Sequence, residues 1–332
     1  MPYIVYIFKL FFLFLLFTPR LAYAKSSDSQ INQLIVLFHG LGNHAASFHT
    51  MKQELEQTFP AASVVALTSV EGAQSVELSI KQQAEMNFKE LASKVENLQD
   101  KSILLVGHSQ GGLRAYTFLK QYQGLLSIKG LITLAAPWEG APGARVDAAM
   151  LSAHLTNPVL DDLRRLSLTL GYSEHALEEQ LMFNIQSNQA VCLYPGGKDL
   201  MRGSVFLNEL QALLRDEKIP ILAIGGGQSD FRALLNKKST HRFKALHDMY
   251  TFFVVGEKYF TCHHDMQLPL DSQHALHVLC KRKKNFKRVF IKDAFHSSHV
   301  LAIPVPKSKN ILAHPRVLDA IIKFAKNLFK AT

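Results

Sequence analysis

The sequence predicts a doubly wound, mostly parallel α/β sheet carrying a helical cap insertion, and three observations lead to it. Short runs that are apolar at every position alternate with stretches of helical periodicity. Two of those runs end directly in glycine-containing turns, His39-Gly40-Leu41-Gly42 and Gly107-His108-Ser109-Gln110-Gly111. A long middle segment, from about 138 to 206, shows helical stretches and no clear strand.

The N-terminus is set aside before the fold. Met1 to Lys9 holds one basic residue, Leu10 to Phe17 is unbroken apolar sequence, and Ala22-Tyr23-Ala24 supplies small-x-small spacing. An apolar core of about eight residues is too short for a bilayer and fits a signal peptide over residues 1–24. Cleavage after Ala24 would leave residues 25–332 as an exported chain, periplasmic, lumenal or extracellular, with no later run apolar enough to span a membrane.

The remaining elements follow in order. Leu34 to Phe38 is apolar on both faces, as a central parallel strand must be. Ser47 to Phe59 reads as an amphipathic helix with Phe48, Met51, Leu55 and Phe59 on one side, and Val64 to Leu67 as a second strand. Ser79 to Leu98 is a long helix, Ile103 to Val106 a third strand, and Leu113 to Tyr122 a helix after the glycine turn. Leu131 to Leu134, Ile219 to Ile224 and Arg288 to Ile291 are further strands. Within the middle segment, Leu160 to Leu170 and His175 to Phe183 are helical; an insertion there would lie over the carboxyl edge of the sheet, where open α/β folds keep their sites.

Composition bounds the function. At 48% hydrophobic and 19% charged the chain is an ordinary globular one, which excludes a disordered or low-complexity protein. The net charge is +10, and about +8 without Lys9 and Arg20; much of it lies in Lys281-Arg282-Lys283-Lys284 with Lys287 and Arg288. Such a run is a solvated loop or a contact for an anionic membrane surface. Nucleic acid is not expected, because the run lacks interleaved aromatics and the leader directs the chain out of the cytosol. Of three cysteines, Cys262 and Cys280 are the better-placed pair for a disulfide, with free buried thiols the alternative and Cys192 left over.

Gly107-His108-Ser109-Gln110-Gly111 is a G-x-S-x-G pentapeptide extended by Gly112. It follows an apolar strand and opens a helix, the setting of a nucleophile elbow. Bulky residues at the flanking positions would collide with sheet or helix, and the helix N-terminus favours a developing negative charge. No other serine has glycine on both sides in this pattern; Ser229 has Gly227 before it but Phe231 after. Ser109 is therefore the expected nucleophile, and the backbone N–H groups of Gln110 and Leu41, each behind its own strand, the expected oxyanion donors.

Phe38-His39-Gly40-Leu41-Gly42, Gly107 to Gly112 and Ala136-Pro137-Trp138-Glu139-Gly140 resemble the α/β-hydrolase superfamily, and within it the bacterial triacylglycerol lipases and the palmitoyl-protein thioesterases. Gly203 to Leu210 is similar to a segment these proteins carry before a later strand. The resemblance covers most of the chain after the leader and implies an acyl-ester or thioester substrate.

In this fold the carboxylate follows the serine and the histidine follows the carboxylate. Two carboxylates compete. Asp230 closely follows the strand at Ile219 to Ile224, whereas Asp265 lies in His264-Asp265-Met266-Gln267-Leu268-Pro269, after the apolar run Phe252 to Val255. The similar segment of lipase-like relatives, Asp-Gly-x-Val-Pro, favours Asp265, although Met266 stands where glycine is expected. The base should follow the strand ending at Ile291, with His296 preferred by the spacing of relatives and His299 the rival; His314 reads as structural. His263, His264, His274 and His277 lack zinc-site spacing, so neither metal nor other cofactor is expected. The expectation is a serine hydrolase of carboxylic esters; the same machinery acting on thioesters or as an acyltransferase, and a non-catalytic binding protein of the same fold, are the alternatives.

Overall fold

In a computed structural model the described residues are 32–186, 191–235, 242–256, 263–280 and 283–330. The expected signal-peptide segment, Cys262, Lys281 and Arg282 lie outside them. Six strands form one sheet: β1 Gln33–Phe38, β2 Ala62–Ala66, β3 Ser102–His108, β4 Ser127–Leu134, β5 Ile221–Gly226 and β6 Phe286–Ile291. They are all parallel in the order β2-β1-β3-β4-β5-β6. The chain therefore moves outward from β1 in one direction and then, from β3, in the other. That reversal opens a crevice at the carboxyl ends of β1 and β3, the position where open α/β sheets bind ligands.

Both faces of the central sheet are covered, which is why its inner strands read as continuous apolar runs. Leu34, Val36 and Phe38 point to one side, with α2 (Ile80–Lys94), α3 (Gln110–Tyr122) and α7 (Val205–Asp216). Ile35 and Leu37 point to the other, with α1 (His49–Thr58) and α9 (Pro315–Lys330). Phe48, Met51, Leu55 and Phe59 are all buried as their spacing requires, though the first turn is a 3₁₀ segment, Ala45–Phe48. Helix α2 is shorter than the polar stretch suggests. It begins at a capping box formed by Ser79 and Gln82, and ends at Lys94 before the β-branched Val95.

The middle segment is helical over α4 (Ala148–Ala153), α5 (Asn157–Thr169) and α6 (Ala176–Gln186). Its two ends belong to the main body: Trp138, Ala141 and Ala144 at one end, and Leu200 and Phe206 at the other, pack into the first core. A second excursion after β5 supplies α8 (Lys244–Val255), so the run Phe252 to Val255 is the end of a helix. Val159, Leu163 and Leu166 of α5 meet Phe231, Phe243 and Leu246 in a third apolar cluster separate from the other two. The buried Asp162 of α5 accepts the Leu246 N–H at 3.1 Å, satisfying a donor in the first turn of α8 where the helix dipole favours a carboxylate. A two-strand hairpin, β7 (His299–Val300) with β8 (Ile303–Pro304), follows β6. Among the described residues no helix is long and apolar enough to cross a membrane.

Candidate active site

Ser109 sits between β3 and α3 with φ 55° and ψ −130°, a conformation that costs a non-glycine residue of order 1–3 kcal/mol. The neighbouring glycines explain how the turn closes. A Cβ at Gly107 would lie 2.3 Å from the Gly111 carbonyl, one at Gly111 would lie 2.2 Å from the Phe38 carbonyl, and one at Gly112 would meet Ala136 Cβ at 2.5 Å. A Cβ at Gly40 would be 3.0 Å from Ser109 Cβ, so the turn after β1 lies directly against the serine. Leu41 thus follows a turn that abuts the serine, and Gln110 opens α3, where N–H groups precede the first intrahelical bond.

Asp265 and His296 are brought together from either side of β6. His296 Nδ1 is 2.7 Å from Asp265 Oδ2, and both side chains are buried. The other carboxylate oxygen accepts the Gln267 and Leu268 N–H groups at 3.0 and 2.8 Å, and the His296 N–H donates to the Asp265 carbonyl at 2.9 Å. His108, the residue before Ser109, donates from Nε2 to the His296 carbonyl at 2.9 Å, with the two rings 4.8 Å apart. The segment carrying His296 is therefore tied to the serine turn itself.

The rivals lie elsewhere. Asp230 caps its own turn and pairs with Arg232 at 2.8 Å; burial alone would raise its pKa, but the hydrogen bonds from Arg232 outweigh that and hold it below the usual carboxylate value. His299 is exposed, on β7, with Nδ1 toward Ser298 Oγ at 3.1 Å.

Met266 keeps the backbone conformation for which glycine is suited. Its φ is 73°, and its side chain is completely buried in the third apolar cluster beside Phe295, the neighbour of His296. Packing therefore holds a strained residue in place. Gly225 and Gly226 end β5, and a Cβ at Gly226 would lie 3.1 Å from Asp265 Cβ and 2.7 Å from the Ala294 carbonyl. Gln273 bridges the strand end to this segment, accepting the Gly226 N–H at 2.8 Å and donating to the Leu268 carbonyl at 2.8 Å. Neither Gln273 nor the Met266 packing is visible in sequence; the paired glycines at a strand end are the one signal that something approaches there closely.

Burial and the neighbouring His296 and His39 keep His108 well below the usual histidine range. Burial, and then Arg114, lower His39 to about 3. The site floor is accordingly neutral imidazole. Burial and the charge of Asp265 push the Tyr250 hydroxyl of α8 up to about 12.

The histidine group does not assemble. His264 Nδ1 accepts the Met266 N–H at 3.1 Å, His274 Nε2 meets the Val289 carbonyl at 3.1 Å, and His277 Nδ1 lies 2.6 Å from Glu139. Among the described residues no group of three or more His, Cys, Asp or Glu is placed to hold a metal ion. Cys280 Sγ lies 3.1 Å from the His277 carbonyl oxygen, while Cys262, the other half of the expected pair, lies outside the described residues.

The described part of the basic run, Lys283, Lys284, Lys287 and Arg288, lies away from the Asp265–His296 pair. It precedes and begins β6, whereas Asp265 and His296 gather at the carboxyl end, roughly 17 Å away for six residues of strand. Lys283 donates to the Leu214 and Glu217 carbonyls at 3.3 and 3.2 Å, closing the end of α7, and Arg288 donates to the His274 and Leu279 carbonyls at 2.8 and 2.9 Å.

A family model described as palmitoyl protein thioesterase matches residues 34–193. No curated protein sequence matches the chain. Among solved structures, a lipase from Bacillus licheniformis in its mature form is similar with a TM-score of 0.50 at 11% identity, over 91% of this chain and 95% of that one. The phospholipase PlaB of Legionella pneumophila is similar with a TM-score of 0.52 at 13% identity, over 90% of this chain and 64% of that one. At these identities the likeness is one of fold.

Proposed function

We propose that this chain is a lipase-, esterase- and thioesterase-like α/β-hydrolase that cleaves carboxylic esters of acyl or lipid substrates through Ser109, His296 and Asp265. The observation that carries the reading is the strained turn at Ser109 together with the buried His296–Asp265 pair at 2.7 Å. With Nδ1 donating to Asp265, the imidazole keeps its proton there and leaves Nε2 free to accept one. Ser109 Oγ attacks the acyl carbonyl carbon as its proton passes to Nε2. The carbonyl electron pair moves onto oxygen, where the Leu41 and Gln110 N–H groups receive it. Collapse of the tetrahedral species expels the alcohol, protonated by His296, and leaves acyl-Ser109. Water activated by the same imidazole then releases the acid.

The thioester reading has one specific support, the family-model match over residues 34–193. The same steps apply with a thiol leaving. The apolar leader and the Ala22-Tyr23-Ala24 site further support an exported enzyme. The helices after β4 and β5, which share a cluster with Met266 and Phe295 beside the acid and base, are the part of the chain we assign to acyl-chain selection.

A fluorophosphonate probe should label the wild-type chain and leave Ser109→Ala unlabelled while its circular dichroism is unchanged. Oxy- and thioesters of the same acyl chain should then rank the substrates by kcat/KM. Equal labelling of Ser109→Ala would overturn the assignment, and a preference for thioesters above about a hundredfold would replace the ester reading with the thioesterase one.

A further inference from the structure

Four buried polar side chains lie among the turns that carry Leu41 and Gln110 and take no part in proton transfer. Ser75, Gln83, Gln110 and Arg114 are each 0% exposed. Ser75 is their hub. Its hydroxyl donates to the Gly72 carbonyl at 2.7 Å and accepts the Gly42 N–H at 2.6 Å. Its carbonyl accepts from Gln83 Nε2 at 2.9 Å and from Gln110 Nε2 at 3.0 Å. Gln83 Oε1 in turn accepts from Arg114 Nη1 at 3.0 Å, and Arg114 Nη2 donates to the His39 carbonyl at 2.7 Å.

The turn after β1 is thus held on both sides of Leu41: the His39 carbonyl by Arg114, and the Gly42 N–H by Ser75. Gln110 is held to the same Ser75 by its side chain, and also to the Gly196 carbonyl at 3.2 Å. Oxyanion donors work only if their positions are fixed before charge develops. A His-Gly-Leu-Gly turn does not fix itself, because its glycines have the widest conformational choice. Burying four polar groups is costly unless they are bonded, and here their bonds converge on the residues flanking the two donors. Arg114 makes no ion pair among the described residues, and burial lowers its guanidinium to about 9, so its retention needs an explanation other than charge pairing.

We propose that Ser75, Gln83 and Arg114 are positioning residues that hold the Leu41 and Gln110 N–H groups at a fixed separation for the oxyanion. This rests on the reading of Ser109 as the nucleophile. The effect would be on the transition state and not on ground-state binding.

The test uses the full chain with Ser75→Ala and Arg114→Lys, each checked for native circular dichroism and thermal midpoint. Three quantities are read: kcat and KM on a p-nitrophenyl ester, the inhibition constant of an alkyl trifluoromethyl ketone, which forms an oxyanion on serine, and that of the matching non-cleavable ether. The expected result is kcat lower by about tenfold to a hundredfold, KM within about twofold, and ketone affinity falling with kcat while ether affinity holds. Unchanged kcat and ketone affinity in the folded variants would overturn the proposal, as would equal losses for ketone and ether. If Ser75→Ala does not fold, Arg114→Lys and Gln83→Leu decide by the same readings. Labelling of the wild-type chain by a fluorophosphonate keeps the two inferences apart: without it the nucleophile reading has failed, and with it a negative result falls on the positioning network alone.

Discussion

Gly111→Ala isolates the close approach on which the candidate site is built. Gly111 is the second residue of α3, and an alanine Cβ there would lie 2.2 Å from the Phe38 carbonyl oxygen and 2.4 Å from that of His39. Ordinary contact begins at 3.4 Å, so the helix or the turn must give by about 1.2 Å. Neither neighbour is the end of a flexible side chain. The His39 carbonyl is the one Arg114 holds, and Leu41 is only two residues further on. A displacement of about 1 Å in a catalytic group costs on the order of a hundredfold, and loss of one oxyanion donor costs a hundredfold to a thousandfold in turnover. Gly111→Ala should therefore lower kcat/KM on a p-nitrophenyl ester by at least about a hundredfold, and slow fluorophosphonate labelling comparably. Gly124→Ala is the control, because a Cβ there meets nothing within 4 Å. Equal activity of the two variants would refute the claim that this backbone contact sets the site.

Two further outcomes follow from the geometry. Asp265→Asn should lower turnover by about ten-thousandfold, as loss of tautomer control does, and His296→Ala should match Ser109→Ala; Asp230→Asn and His299→Ala should stay within a few-fold of wild type in the same steady-state assay, and an inactive His299→Ala beside an active His296→Ala would reassign the base. Stability should decline in acid. His39, lowered to about 3, and His264 and His274, each lowered to about 4, are neutral when folded and regain the ordinary value of 6.5 when unfolded. Below about pH 6.5 the unfolded chain binds more protons, so stability is intact above that value and falls as pH drops towards 4, by up to roughly 1.4 kcal/mol per pH unit for each histidine. Urea midpoints measured from pH 8 to 4.5 check this, and a level series down to pH 5 would contradict the burial of neutral imidazoles.

The sheet was legible because its central strands are buried on both sides. Leu34 to Phe38 and Ile103 to Val106 have no polar face to disguise them, and each ends in a turn whose glycines the packing demands. The serine turn is a local feature, so a local pattern finds it. Asp265 and His296 are different, since one carboxylate among several and one of fifteen histidines become a pair only through the return of the chain around β6. The three-residue step from His296 to His299 spans a change from buried to exposed that no periodicity encodes. The helix α8 escaped notice because Phe252 to Val255 is as apolar as a strand. Lys283 and Arg288 look like free charge in one dimension, yet each is bonded to main-chain carbonyls supplied by distant turns. Ser75, Gln83 and Arg114 carry no motif at all, and their meaning lies in what they touch.

The third apolar cluster bears on how this protein could be re-engineered or diversified. Its helices come from two separate stretches of chain, and Asp162 of the first stretch terminates the backbone of α8 in the second. Met266 and Phe295, which adjoin the acid and the base, are embedded in the same cluster. Neither stretch is therefore a self-contained cassette. Transplanting residues 148–186 into a related scaffold would strand Asp162 and expose the apolar side of α5, whereas moving 148–186 together with 231–256 would carry the whole joint. Recombination that respects only one chain break would reach the paired Asp265 and His296 through Met266 and Phe295, so under the function proposed above any change in acyl selectivity in such chimaeras should arrive coupled to a change in turnover.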